Sequence, residues 1–471
     1  MSGDRFWTAE RVRAATGGEW LVRPTAATAP LGASIDTRTL RRGEVFFALR
    51  GERTDGHRFV GAAAAAGAAI AVVEDPSCVE GADLPPGFAV LRVADSATAL
   101  LRLGAERRRA FDGVRVVAVT GSNGKTTTTQ LVRAVLEGGG LRGSASVKSY
   151  NNALGVPLTL LGVREGDRFV VCEAGTNSPG EIAALAGVLR PDAAVITSIG
   201  RAHVEAFGSL DRIANEKFDL ARAVPPGGLM VWNADAPCLP GLVATLRGVR
   251  TVGVGASASA DRRITDIIES PDGVGFTLAG KCRFRLPLLG RHNAANAACA
   301  IAVARDFGMP DDAVREALAR FAPPGMRLER RRIAGITLLN DAYNANPDSV
   351  LAGLSAFAGA SAGAARRVVV LGEMLELGAA SADAHREVAR AAVRVADAAV
   401  FVGSRAADMA DAWRDAGGGG TPAQVPTLDN GGADAVASLL RPGDAVLLKA
   451  SRRLGLERVA EALAAAHANA P

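Results

Sequence analysis

A chain of 471 residues exceeds what one hydrophobic core usually supports and predicts about three domains of ordinary size. With 48% hydrophobic and 22% charged residues, the composition is that of a globular protein and excludes a disordered or fibrous chain. The net charge of +5 comes from dispersed arginines, which suits a small polyanionic substrate; with no nucleic-acid-binding module or stacking-aromatic pattern, no nucleic-acid partner is expected.

The longest apolar stretch, 61–73, is too short and too Ala/Gly-rich to span a bilayer, and the N-terminus lacks a signal pattern, so a cytoplasmic protein with no membrane insertion is expected. Cys78, Cys172, Cys238, Cys282 and Cys299 are odd in number and scattered, which predicts free thiols rather than a metal or redox pair.

In residues 1–112, short strands at 45–49 and 69–73 alternate with Ala-rich helices, ending in a basic helix around Arg107, Arg108 and Arg109. This region has no nucleotide loop of its own. In 113–322 an apolar strand, 114–119, runs into a Gly-rich loop and a helix, the start of a mononucleotide-binding α/β domain; further strands are predicted at 169–172, 193–197 and 229–232. Pro323, Pro324 and Gly325 break the chain. In 323–471, strands at 336–339, 368–371, 399–402 and 445–448 alternate with helices, which predicts a Rossmann-like, doubly wound parallel sheet. The fold class is therefore α/β in three domains.

The loop reads Thr120-Gly121-Ser122-Asn123-Gly124-Lys125-Thr126-Thr127-Thr128. Backbone N–H groups of such a loop, opening onto a helix N-terminus, converge on phosphate oxygens, and the helix dipole favours the anion. Lys125 supplies a point charge for the β- and γ-phosphates, and the Thr126 hydroxyl is placed to ligate Mg²⁺. A general P-loop would have its first glycine where this chain has Val119, so the loop is of a narrower type. Glu173, at the C-terminal end of a strand, is the oxygen donor that a hard cation needs. His203 follows the next strand, and Lys217 lies in the helix after it. Asn293 reads either as a helix N-cap or, with Asn296, as a hydrogen-bonding pair for a base edge.

The loop variant T-G-S-N-G-K-T-T resembles that of the Mur ligases and of the related folylpolyglutamate synthases, which join amino groups to carboxylates, and the resemblance runs over essentially the whole chain. It implies ATP as phosphoryl donor and two Mg²⁺ ions, with Thr126 and Glu173 at one and His203 and Lys217 at the other. Lys217 would then be N6-carboxylysine, because an ammonium cannot ligate a cation whereas its CO₂ adduct is an anionic oxygen donor. Around it the chain reads Glu216-Lys217-Phe218-Asp219, where the family usually has A-K-G-E. The resemblance further implies that His292, Asn293 and Asn296 serve the adenine, and that Arg327 and Asp341 reach the nucleotide from the third domain.

For the substrates, the strip holding Tyr343, Asn344 and Asn346, the segment 371–378, and Lys449 and Arg452 resemble the family member that adds D-alanyl-D-alanine. Ser34, Asp36, Arg38, Asp55 and His57 in the first domain resemble its uridine-diphosphate cradle. UDP-N-acetylmuramoyl-tripeptide and D-alanyl-D-alanine are thus the implied substrates of a monomeric ligase. Another Mur ligase or a folylpolyglutamate-synthase-like ligase is the alternative; the latter would not explain the first-domain segment or the strip 341–349.

Overall fold

The computed structural model describes residues 4–26, 28–52, 54–81, 84–147 and 150–468, the last two through their backbone only; the expected outer domain limits at 1 and 471 lie outside them. The described residues form three sheets. The first runs Glu19–Val22, Ala89–Arg92, Ile70–Val73, Glu44–Phe47, Gly32–Ser34, parallel except for the antiparallel first strand.

The second sheet places Arg115–Thr120 between Ala193–Ile196 and Phe169–Glu173, all parallel. It continues through Leu229–Asn233 and Arg250–Gly255 into an antiparallel meander, Arg262–Ser270, Gly273–Leu278 and Cys282–Leu286, and ends on its other edge at Gly143–Ala145. The third runs Glu329–Ile333, Ile336–Asn340, Asp444–Lys449, Arg366–Gly372, Ala398–Val402, Ala423–Val425 and is parallel except at Glu329–Ile333.

The apolar runs foreseen as strands are strands because both faces are covered. In Arg115–Thr120, Val117 and Val119 pack into one core with the helices Lys125–Gly138 and His292–Asp306, while Val116 and Ala118 pack into another on the opposite face. A parallel strand roofed on both sides must be apolar at every position, so it shows no period-2 alternation. The third sheet repeats this arrangement, with Val369 and Leu371 on one side and Val368 and Val370 on the other. The meander was not anticipated: its strands are broken by Asp266 in the left-handed region and by exposed arginines. All five cysteines are free, and among the described residues no helix is long and apolar enough to cross a membrane.

Candidate active site at the phosphate loop

The loop after Arg115–Thr120 is shaped by two glycines. A Cβ at Gly121 would lie 2.0 Å from Thr197 Oγ1, so only glycine lets the two strand ends approach. Gly124 has φ +81° and is the N-cap of Lys125–Gly138; a Cβ there would stand 2.4 Å from Asn296 Oδ1. The helix starts without a side-chain cap, so the orphan N–H groups of its first turn open into a cavity of about 970 Å³.

The loop is pinned from the neighbouring strand end. Asn123 N–H donates to Ser198 Oγ (2.8 Å), Thr197 Oγ1 donates to Asn123 O (2.5 Å), and Ser122 Oγ accepts from Gly200 N–H (2.9 Å). Lys125 folds back, its Nζ donating to Gly121 O at 2.8 Å. Burial lowers its ammonium pKa, opposed by the Glu173 carboxylate and reinforced by Arg327. Thr126 Oγ1 donates to Glu173 Oε2 (2.7 Å), so a hydroxyl and a buried carboxylate meet at the mouth of the loop. Asn151 Nδ2 donates to the other Glu173 oxygen (2.9 Å) and Ser146 Oγ accepts its backbone N–H (3.0 Å), which fixes the carboxylate.

The third domain closes over this mouth. Arg327 Nη2 donates to Thr126 Oγ1 (2.8 Å) while its guanidinium lies 4.1 Å from the Tyr343 ring centroid. Both flanking residues, Met326 and Leu328, have positive φ. Asp341 holds that turn by accepting Leu328 N–H (3.2 Å), and Lys449, buried, pairs with Asp341 at 2.5 Å and donates to Asn344 O at 3.2 Å. Asn346, N-cap of Pro347–Ala360 through a capping box with Ser349, also donates to Asn123 Oδ1 at 2.8 Å. Arg201 donates to Asp348 (2.8 Å) and Glu387 (2.6 Å), adding a second link between the two domains.

Most of the foreseen nucleotide and acceptor residues line this one cavity: Ser122 to Thr127, Glu173, His203, His292, Asn293, Asn296, Arg327, Asp341, Tyr343, Asn344, Asn346, Lys449 and Arg452. The Asn293 alternatives separate here. Arg291, not Asn293, is the N-cap of His292–Asp306, and Asn293 instead donates to Leu289 O (2.8 Å) while accepting from Asn296 Nδ2 (2.8 Å). Arg452 is exposed and donates to Glu457 (2.7 Å).

Gly121 and two further sets of foreseen residues lie outside the cavity lining. Lys217, 1% exposed in the helix Leu210–Arg222, forms no hydrogen bond or ion pair among the described residues. Burial and then the nearby Lys125 charge hold its ammonium pKa well below the usual lysine range, against the pull of Glu216. In the first domain, Asp36 is held to a pKa of about 2 by the Arg38 guanidinium and backbone, and Ser34 Oγ accepts Asp36 N–H at 3.2 Å. His57 is engaged at both ring nitrogens, Nδ1 with Asp55 (2.6 Å) and Nε2 with Glu74 N–H (2.9 Å), so it fixes this turn through neighbouring protein groups. Asn151, Arg201, Asp348, Glu376 and Glu387 were not named as site residues; Asp348 and Glu376 lie within the strip 341–349 and the segment 371–378, whose spacing does not single them out.

A phosphate loop at the head of a parallel sheet, roofed by a second α/β unit across a polar cavity, defines a multidomain α/β protein of the phosphate-loop class. Family models match three consecutive parts of the chain: the Mur ligase family catalytic domain at 32–107, the Mur ligase middle domain at 119–304, and the Mur ligase glutamate ligase domain at 326–452. UDP-N-acetylmuramoyl-tripeptide–D-alanyl-D-alanine ligase of Mycobacterium tuberculosis is 35% identical, over 92% of this chain and 91% of its own. The Bacillus subtilis ligase of the same name is 37% identical over 76% of each chain. The crystal structure of MurF from Acinetobacter baumannii superposes with a TM-score of 0.82 at 29% identity, covering 97% of this chain and 98% of its own. That of MurF from Thermotoga maritima in complex with ADP gives 0.76 at 26% identity, covering 94% and 98%. The chain belongs to the Mur ligase family.

Proposed function

We propose that this Mur ligase joins D-alanyl-D-alanine to UDP-N-acetylmuramoyl-tripeptide at the expense of ATP, acting as a monomer in the cytoplasm. We assign 1–112 to the UDP-sugar-peptide, with Ser34, Asp36, Arg38, Asp55 and His57 building its cradle, 113–322 to ATP, and 323–471 to the acceptor. Relatives of this name that match over most of the chain support the reaction. The observation that carries the site is the single cavity in which the phosphate loop faces the third-domain strip 341–349. No relative among these matches favours a folylpolyglutamate-synthase-like ligase.

The loop N–H groups and Lys125 receive the ATP phosphates, and His292, Asn293 and Asn296 face the adenine side. A carboxylate brought beside a γ-phosphate adds anion to anion, and Lys125 with Arg327 offsets that repulsion. The tripeptide carboxylate attacks the γ-phosphorus, the bond to the β-bridging oxygen breaks, and ADP leaves from an acyl phosphate. The neutral amine of D-alanyl-D-alanine then attacks the acyl carbon, loses its proton, and phosphate departs. Tyr343, Asn344 and Asn346 position the dipeptide, with Arg452 the exposed cation for its carboxylate, since Lys449 is committed to Asp341. Most of the rate enhancement is positioning and electrostatics, as in other phosphoryl transfers.

The Thr126 hydroxyl and the Glu173 carboxylate are hard oxygen donors 2.7 Å apart and fit Mg²⁺, which would supply charge neutralisation to the phosphates. A second ion would sit at His203 and Lys217. A buried lysine that forms no ion pair among the described residues, its ammonium pKa depressed by burial and then by Lys125, is suited to add CO₂ with loss of a proton and become N6-carboxylysine. The test is phosphate release with ATP, UDP-N-acetylmuramoyl-tripeptide and each acceptor in turn. D-alanyl-D-alanine is expected to exceed D-Ala, L-Ala, Glu and diaminopimelate by a wide margin. Equal rates with Glu or diaminopimelate would assign the chain to a sibling reaction.

A further inference from the structure

At Glu216 the chain departs from the pattern it otherwise resembles, with a carboxylate where the family usually has alanine, and the mechanism above gives that carboxylate no task. It is buried in the helix Leu210–Arg222, a position that a carboxylate occupies only where hydrogen-bond donors meet it. The donors come from another element. Glu216 Oε2 accepts Gly180 N–H (2.8 Å) and Oε1 accepts Ile182 N–H (2.8 Å), so both oxygens close on the first turn of the helix Glu181–Leu189.

That helix has no cap of its own at this end. Its N-cap is Gly180, at φ +88° and with no side chain, which leaves the first N–H groups to be satisfied from elsewhere. At the opposite end Arg108, in the first-domain helix Ser96–Arg109, donates to Leu189 O (2.8 Å) and Arg190 O (2.7 Å). An anion at the N-terminus and a cation at the C-terminus both match the helix dipole. The helix is thus clamped at its two ends by charges from other elements, one in the first domain and one in the central domain.

The clamped helix continues into the cavity wall. Between Glu173 and Gly180 the chain lines the cavity with Gly175, Thr176 and Asn177, and Leu101 of the first-domain helix lines the same cavity. This segment is tied down at its start, where Gly175 N–H donates to Asn151 O (2.7 Å), and at its end by Glu216. The Glu173 carboxylate is held separately by Thr126 and Asn151, and the phosphate loop by Thr197, Ser198 and Gly200. A change at Glu216 therefore reaches this wall without reaching the groups that receive the nucleotide.

We infer that Glu216 is a positioning residue for the acyl donor: it sets the segment 174–180 as the wall that receives the peptide end of the UDP-sugar-peptide reaching in from the first domain. The inference rests on the substrate reading given above, in which the first domain holds that molecule.

The test is Glu216→Gln in full-length protein, which keeps one acceptor and turns an amide N–H₂ toward the other backbone N–H. Hydrogen exchange should quicken about 10-fold or more at the amides of Gly180 and Ile182 and stay unchanged across 121–128. Calorimetric titration with ADP present should show UDP-N-acetylmuramoyl-tripeptide bound about 10-fold less tightly, the loss of one hydrogen bond to a charged group, while the affinity for ADP itself is unchanged. Equal weakening of both ligands, which a purely structural role would give, overturns the inference. So does unchanged exchange at Gly180 and Ile182, or a UDP-N-acetylmuramoyl-tripeptide affinity within about twofold of wild type, where one lost bond should cost about tenfold. Failure of the wild-type protein to bind UDP-N-acetylmuramoyl-tripeptide would instead remove the substrate reading itself, and this inference with it.

Discussion

Gly124→Ala puts the packing of the phosphate loop to a quantitative test. Two costs combine at this position. The backbone is left-handed at φ +81°, which costs an L-residue about 1–2 kcal/mol. The new Cβ would also stand 2.4 Å from Asn296 Oδ1, far inside contact distance, so the Asn296 amide must rotate away and give up its 2.8 Å bond to Asn293 Oδ1. Leaving one buried polar group unpaired costs about 1–3 kcal/mol. The sum, about 2–5 kcal/mol, falls on the conformation that receives phosphate, so the ADP dissociation constant should rise by about 30-fold or more at 1.4 kcal/mol per decade. Calorimetric titration with ADP measures it directly. In a double-mutant cycle, Gly124→Ala with Asn296→Ala should lose about 1 kcal/mol or more less than the sum of the single changes, because the collision is removed and only the backbone strain stays. An ADP affinity within threefold of wild type in Gly124→Ala, or strict additivity in the cycle, would refute this account of the loop.

Lys125→Ala should lower turnover at least ~10³-fold, since among the described residues no other lysine hydrogen-bonds the loop and removing one key electrostatic group costs this much elsewhere; near-normal phosphate release would remove the phosphate-loop assignment. Lys217→Ala should be inactive and regain activity with a short-chain carboxylic acid that fills the same cavity, whereas an unmodified lysine in the intact mass of active, metal-loaded protein would dismiss the CO₂ adduct. Arg201→Ala removes two partly exposed ion pairs of about 0.2–1 kcal/mol each, so the closed population should fall by about 2- to 30-fold, and scattering with ATP and UDP-sugar-peptide should show a more extended particle. Profiles that superpose on wild type with both ligands would separate Arg201 from closure.

What the sequence disclosed and what it withheld divide by distance along the chain. The phosphate loop was readable because a strand, two glycines, Lys125 and Thr126 lie within a dozen residues, and backbone geometry alone assembles them. The parallel strands were readable because burial on both faces demands unbroken apolar runs such as 368–371. Glu329–Ile333 reads as a charged segment, E-R-R-R-I, and becomes a strand because it lies at a sheet edge and pairs with Ile336–Asn340. Such an edge tolerates charge, and its signal is correspondingly weak.

The partners of the site were unreadable for a different reason. Polar side chains announce that they need hydrogen bonds without saying from where. Arg327 finds Thr126 across 201 positions, Asn346 finds Asn123 across 223, and Asn151 finds Glu173 across 22. In each case the donor satisfies a group that the motif itself supplied, and neither spacing nor composition carries that pairing. Lys449 illustrates the consequence. As a lone cation near the acceptor strip it suits a substrate carboxylate, yet it is buried and bound to Asp341, whose other oxygen accepts Leu328 N–H beside Arg327. The charge therefore acts on the turn that delivers Arg327 to the phosphate loop, and a change at Lys449 should be felt at the nucleotide as strongly as at the acceptor.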